Sequence, residues 1–346
     1  MRRPLWIALV AGGTALLLAL GVTSFVLMLQ AKAAADPARL VSAYLTQVRD
    51  GHIEAAMRME GRKPDASEPL LTDAVYAKAT ERLSDFRILR VRTSGDRALV
   101  DVQTTAGGAS ARSSLELASE GWTPGALLGV VAWRLKPVEL SMIDLHVGAP
   151  GSIAAMVAGA KVDPARHPAL LAFPGRYALD VPAASPFFTV KGASVAVAGF
   201  QQREELKTSA ELTQKGKDAA VAAANAWVQA CMQGGPKPTG CSFGLTDGAT
   251  DGEVWTNQKW ALSTQPQVTV LPWSDGCGLP GQRDGTGCWP VKTASAGAAD
   301  FSADYSIPAT GETGTITSTA PIEVDIEGGV TGFRADGAFF ISVLWH

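Results

Sequence analysis

The 346-residue chain is predicted to be an α+β protein behind an N-terminal transmembrane helix. Three observations carry that expectation. Residues 4–31, between Arg3 and Lys32, contain no charge. From residue 36 the apolar residues recur with helical period, and from Phe86 they recur with the two-residue period of strands. The same order, helix and then strands, returns between Lys217 and the C-terminus. Composition agrees with folded modules. Hydrophobic residues are 47% and charged residues 18%, which excludes wholesale disorder. A net charge of −3 argues against nucleic-acid binding driven by bulk charge.

The uncharged run is longer than the roughly 20 residues that a helix needs to cross the hydrocarbon. Its core, Leu5 to Leu29, is rich in Leu, Val and Ala, with Trp6 at one end. Arg2 and Arg3 precede it, so the positive-inside bias places the N-terminus in the cytoplasm and everything beyond Lys32 outside. A cleaved signal peptide is the alternative, with small residues at 31–35. A signal's apolar region is only about 7–15 residues, so an uncleaved anchor is preferred. Either way the remainder is exported, and the membrane is the expected partner of residues 5–29.

The remaining elements follow in order. Asp36 reads as an N-cap with Pro37 at the first helical position. Leu40, Val41, Tyr44, Leu45 and Val48 then share a face until Asp50-Gly51 stops the helix. Ile53 to Met57 starts a second helix, and Thr72 caps a third that runs through Leu83. Phe86 to Val91 and Arg97 to Thr104 form a hairpin around Ser94-Gly95-Asp96. Ser113 to Ala118 and Val130 to Leu135 are two more strands, separated by a loop at Pro124-Gly125. Short apolar runs broken by Pro and Gly make residues 139–200 a small all-β module. Residues 201–216 are polar and read as a solvated linker or an exposed helix, with the linker preferred. A helix from Lys217 to Met232 opens the last module, whose clearest strands are Val268 to Leu271 and Phe339 to Leu344. The expected layout is therefore 1–35 cytoplasmic stub and transmembrane helix, 36–138 α+β domain, 139–200 β module, 201–216 linker and 217–346 second α+β domain.

All four cysteines lie in that last domain. An even count in an exported region reads as disulfides. Three connectivities are open, and short spacing favours Cys231–Cys241 with Cys277–Cys288. The absence of any C-x-x-C argues against zinc.

Leu40 to Leu45, Asp50 to Ala56 and Leu71 to Tyr76 resemble the helical opening of nuclear-transport-factor-2-like domains in exported actinobacterial proteins. Val131 to Leu135 resembles their closing strand. Trp227, Cys231, the Cys241-Ser242-Phe243-Gly244 loop, Trp260 and Gln265-Pro266-Gln267 are similar to a second module of such envelope proteins. Phe173-Pro174-Gly175 resembles the linking β domain and is similar to teicoplanin-resistance-associated membrane proteins. The resemblance implies a cone-shaped first domain and a membrane-anchored envelope protein. It carries over no catalytic residue.

Catalytic and metal-binding patterns are sparse, and no cofactor or metal is expected. His52, His146, His167 and His346 form no i, i+4 pair and read as surface or turn residues. No G-x-S-x-G nucleophile elbow, P-loop or dinucleotide-binding fingerprint is expected. Asp101 and Asp144 lie among apolar residues and are weighed as pocket bases of an isomerase- or hydrolase-like enzyme. Strand alternation favours placing Asp101 on the wet face of its strand and Asp144 in a linking strand. The expected role is therefore a non-enzymatic binding or scaffold protein whose partners are cell-wall polymer or other envelope proteins. Trp227 and Trp260 read as core. Trp273 and Trp289 flank the Cys277–Cys288 hairpin, and with Arg283 and Asp284 at its tip they form the candidate recognition site.

Overall fold

The computed structural model describes residues 36–120, 131–151, 153–182, 185–238, 240–245, 249–250, 252–279, 287–335 and 337–342. The expected membrane span at 5–29, the Pro124-Gly125 loop, Arg283, Asp284 and His346 lie outside them. Among the described residues no helix is long and apolar enough to cross a membrane.

The described chain is mixed α+β and rich in strands. Helix α1 (Pro37–Asp50) begins as its sequence indicates. The Asp36 carboxylate accepts from the Ala38 amide at 2.9 Å, and Gly51, left-handed at φ 88°, ends the helix. Its buried face is Val41, Tyr44, Leu45 and Val48. Helix α2 (Ile53–Met59) follows. Helix α3 (Asp73–Tyr76) is a single turn capped by Thr72, rather than a helix reaching Leu83. The chain leaves it because Thr80 exchanges two backbone hydrogen bonds with Arg176, of 3.1 and 2.7 Å. Those bonds hold the residues after the helix in β pairing.

Strands β1 (Leu83–Ser94), β2 (Arg97–Ala106), β3 (Ala109–Ser119) and β4 (Trp133–Leu135) form an antiparallel meander in that order. Ala98, Val100, Val102, Leu115, Leu117 and Leu135 face the helices.

The middle of the chain is all β, as expected, but it extends further. Strands β5 (Ser141–Gly148), β8 (Ala169–Ala172), β10 (Phe188–Val190) and β12 (Arg203–Leu212) make one sheet in the order β10-β12-β5-β8. Strands β6 (Ala155–Val157), β7 (Ala160–Val162), β9 (Gly175–Asp180) and β11 (Ala193–Val197) make a second in the order β11-β9-β6-β7. The stretch expected to be a linker, 201–216, is thus mostly the central strand β12. It pairs parallel with β5 over Arg203–Ser209 and antiparallel with β10 over Ala210–Leu212. Only Leu206 and Ala210 are buried along it, so its composition imitates a solvated segment.

Thr213 caps helix α4 (Gln214–Cys231), accepting from the Gly216 amide at 3.1 Å. Eight strands follow: β13 (Val254–Thr264), β14 (Gln267–Val270), β15 (Trp289–Ser295), β16 (Gly297–Ile307), β17 (Glu312–Thr317), β18 (Ile322–Val324), β19 (Glu327–Arg334) and β20 (Gly337–Ser342). One sheet runs β13-β16-β17, with β18 also on β16, and the other runs β14-β15-β19-β20. Helix α4 packs on β20 and β14.

One apolar cluster runs without a break from Val41 to Leu206, so the first two modules share a core. Tyr76 donates its hydroxyl to Pro174 O at 2.8 Å, and Phe200 lies 6.3 Å from both Tyr44 and Phe173. A second cluster holds the third module and reaches back to Phe187 and Phe188. Phe187 stacks on Phe333 at 4.7 Å, closing that junction.

Candidate functional site

Both local disulfides form: Cys231–Cys241 and Cys277–Cys288, each with Cα atoms 5.9 Å apart. The strand pattern after Cys288 decides the fate of the neighbouring tryptophan. Alternation along β15 sends Trp289 and Val291 inward, and Trp289 is 1% exposed. Its indole donates to Ala210 O at 3.3 Å and packs against Phe188 and Phe333. The expectation that Trp289 flanks a ligand is therefore corrected: it is a core residue.

Trp273 is half-buried and sits edge-on to Trp289 at 4.8 Å. Its indole N–H donates to Asp275 Oδ1 at 3.0 Å. The ring lies so close to Gly148 of β5 that a Cβ there would come within 2.7 Å of it. Asp275 Oδ2 meets His146 Nε2 at 2.8 Å, and His146 also belongs to β5. Partial burial pushes the Asp275 carboxyl up, but hydrogen bonds from His146 and Trp273 outweigh this and hold it below the usual range. An ionised carboxylate only accepts, so His146 presents its Nε2–H. Lys207, which neighbours His146 in register on β12, adds positive charge beside the same carboxylate. Trp273 and Asp275 thus seat the base of the hairpin on the middle sheet.

The two weighed bases are on polar surfaces. Asp101 accepts from Ser114 at 2.6 Å and Arg92 at 2.9 Å. Asp144 takes a two-pronged contact from Arg203 at 2.5 and 2.9 Å. In each case these hydrogen bonds lower the carboxyl pKa, which makes a poorer base.

The buried carboxylate is one that the sequence did not single out. Glu60 is 1% exposed, and burial raises its pKa. Gly61, left-handed at φ 73°, folds the chain so that Arg62 Nε comes 3.3 Å from Glu60 Oε1. Glu60 Oε2 accepts from the Val138 amide, and Arg62 donates to Val138 O at 3.1 Å. This group clamps the end of the first module. Burial, and then the Glu60 charge, push the nearby Tyr44 phenol well up. The only hint in the sequence is a Glu-Gly-Arg triplet after an apolar helix, which is common on surfaces.

Among the described residues three open grooves stand out. The largest of the three, about 670 Å³, lies between the alanine face of α4 and the start of β20. A second, about 480 Å³, adjoins the Cys231–Cys241 disulfide. A third, about 390 Å³, runs beside His146 and Asp163. None of them is lined by Glu60, Asp101 or Asp144.

The expectation of no nucleophile elbow and no dinucleotide fingerprint is corrected at the level of the strings, because two stretches match those motifs. Gly240-Cys241-Ser242-Phe243-Gly244 matches G-x-S-x-G, and Gly276 to Gly281 matches G-x-G-x-x-G. Each motif functions only in a strand–turn–helix setting. Here the first follows helix α4 and contains a disulfide cysteine, and the Ser242 hydroxyl donates to Asp325 O. The second starts one residue before Cys277 and contains that disulfide cysteine. Among the described residues no group of three His, Cys, Asp or Glu is placed to hold a metal. No family model, no curated protein and no solved structure matches the chain.

Proposed function

We propose that the chain is a single-pass envelope protein, anchored through residues 5–29 and facing outward, with a non-enzymatic binding or scaffold role. In this reading the first module is nuclear-transport-factor-2-like, with three helices over a curved meander. The observation that carries the role is the fusion of the modules. A single core spans Val41 to Leu206, and the third module's own core reaches back to Phe187 and Phe188 beside the middle sheet, where Phe187 stacks on Phe333. A welded arm holds its distal surfaces at a fixed distance and orientation from the first module, which suits a scaffold. Two disulfides suit an oxidising, extracytoplasmic setting.

Cross-linking in intact membranes followed by mass spectrometry tests the role. Reproducible cross-links to other envelope proteins, or retention on isolated wall, are expected. Their complete absence would overturn it. Protease added to wall-stripped cells tests the topology: digestion beyond Lys32 is expected, and full protection would sink the assignment.

One observation favours an enzyme using a carboxylate base, namely the raised pKa of buried Glu60. Glu60→Gln separates the readings. A scaffold keeps its cross-links in that variant, whereas an enzyme loses turnover of its substrate.

A further inference from the structure

The outer face of the β1–β4 sheet carries a concentration of arginine unlike the rest of this acidic chain. Between Leu83 and Leu135 there are six arginines and no lysine. Register places all six on the face away from the helices. Arg87, Arg90 and Arg92 lie on β1 opposite Gln103, Asp101 and Leu99. Arg97 and Arg112 pair with Ala118 and Gln103, and Arg134 of β4 lies opposite Ala118. All six are exposed. Four carboxylates share the face. Asp101 is taken up by Arg92 and Ser114, and Glu116 by Lys136 and Arg97. Asp85 lies at the start of β1, and Glu120, whose amide donates to Ala132 O, follows Ala118 on the same side just beyond β3. Among the described residues Arg87, Arg112 and Arg134 form no ion pair with a carboxylate, and Arg90 only adds its charge beside Asp101. Within the cationic field sit two apolar side chains: Leu99, 38% exposed, and Leu89, the extra residue of a bulge, 42% exposed.

We infer that this face lies against the membrane and binds the phosphates of anionic phospholipid headgroups. The inference rests on the proposed anchor. Arginine is the side chain suited to two-pronged phosphate contact, and its charge is permanent. Apolar residues among cations fit an interface with an acyl phase below it. A hydrophilic wall polymer offers no such phase. Reach is sufficient: residues 30–36 span about 25 Å when extended. The first module therefore stays beside the bilayer, where headgroup phosphates are the most concentrated anions.

The full chain is reconstituted in vesicles of phosphatidylcholine alone or with about 30 mol% phosphatidylglycerol, and arginine modification by phenylglyoxal is followed by mass spectrometry. Phosphatidylglycerol is expected to slow labelling of Arg87, Arg90, Arg112 and Arg134 roughly fivefold, and high salt to restore it. Arg166, 83% exposed in another module, should label equally in both vesicles. The double variant Arg90→Glu/Arg112→Glu should lose the protection of Arg87 and Arg134. Equal labelling in the two vesicles overturns the inference. Protection that follows protein density regardless of lipid would overturn it in favour of a second copy. Protection that appears only when isolated wall polymer is added would overturn it in favour of the wall. Flotation tests the anchor separately. A chain that floats with phosphatidylglycerol vesicles but not with phosphatidylcholine alone loses the anchor and keeps the arginine face. A chain that floats with neither loses both.

Discussion

At Trp289 a large ring is enclosed by Phe188, Phe333 and Trp273 and satisfies its only donor on Ala210. Truncating it leaves a cavity that the surrounding strands cannot fill. Trp289→Ala is expected to cost about 3–5 kcal/mol by chemical denaturation. Trp273→Ala should cost less, because that ring is only half-buried. A Trp289→Ala protein with unchanged stability would contradict the packing. Glu60 gives a second test, with a definite sign. Burial raises its folded pKa above 4.5, so the folded state binds the proton more tightly than the unfolded state. Its favourable contribution is complete below about 4.5 and declines as pH rises through the folded pKa. Stability of the native protein relative to Glu60→Gln, which cannot titrate there, should therefore increase as pH falls below neutral. Denaturation midpoints across pH 4–8 check this. A difference independent of pH would mean that Arg62 fully compensates the buried charge.

Among the elements, β12 and the two disulfides make the sharpest predictions. Thr208 lies within the parallel pairing of β12 with β5 and donates its hydroxyl to Lys191 O at 2.8 Å. Thr208→Pro removes a ladder donor in a central strand and should destabilise by about 3 kcal/mol or more. A true linker would tolerate it, so an unchanged melting temperature would contradict the strand. The disulfides close loops with separations of 10 and 11 residues. Chain entropy gives about 3 kcal/mol for each. The paired substitution Cys231→Ser/Cys241→Ser should exceed that figure, because Cys231 is also packed in the core and 3% exposed. The paired substitution Cys277→Ser/Cys288→Ser additionally loosens the bridge between Ser274 and Cys288. Hydrogen exchange at those two amides would report it.

For the molecule as a whole, unfolding should follow cores rather than modules. The first two modules share the cluster from Val41 to Leu206, in which Phe173 meets both Tyr76 and Phe200. Calorimetry is expected to show them melting together, with the third module forming at most one further transition. Phe173→Ala should lower the melting of both by the same amount. Separate transitions for residues 36–138 and 139–212 would show the cores to be independent.

The sequence alone determined whatever depends on neighbours along the chain. The Asp36 cap, the Gly51 stop and the Thr72 cap are local backbone chemistry, and the structure keeps each one. Short spacing favoured the local pairing of all four cysteines, which the structure adopts. Alternation along β2 and β3 marked their core faces and set Asp101 on the polar one. Tertiary structure decided whatever depends on partners distant in sequence. The strand β12 exists because β5 and β10 flank it, although its own residues are mostly polar. Trp289 is core because β15 turns it toward Phe188, a hundred positions earlier. Glu60 is buried because Arg62 and Val138 close over it, and no pattern around residue 60 announces that. Helix α3 ends early because Thr80 pairs with Arg176. The six arginines are scattered through the chain from Arg87 to Arg134, and only sheet register gathers them on one face.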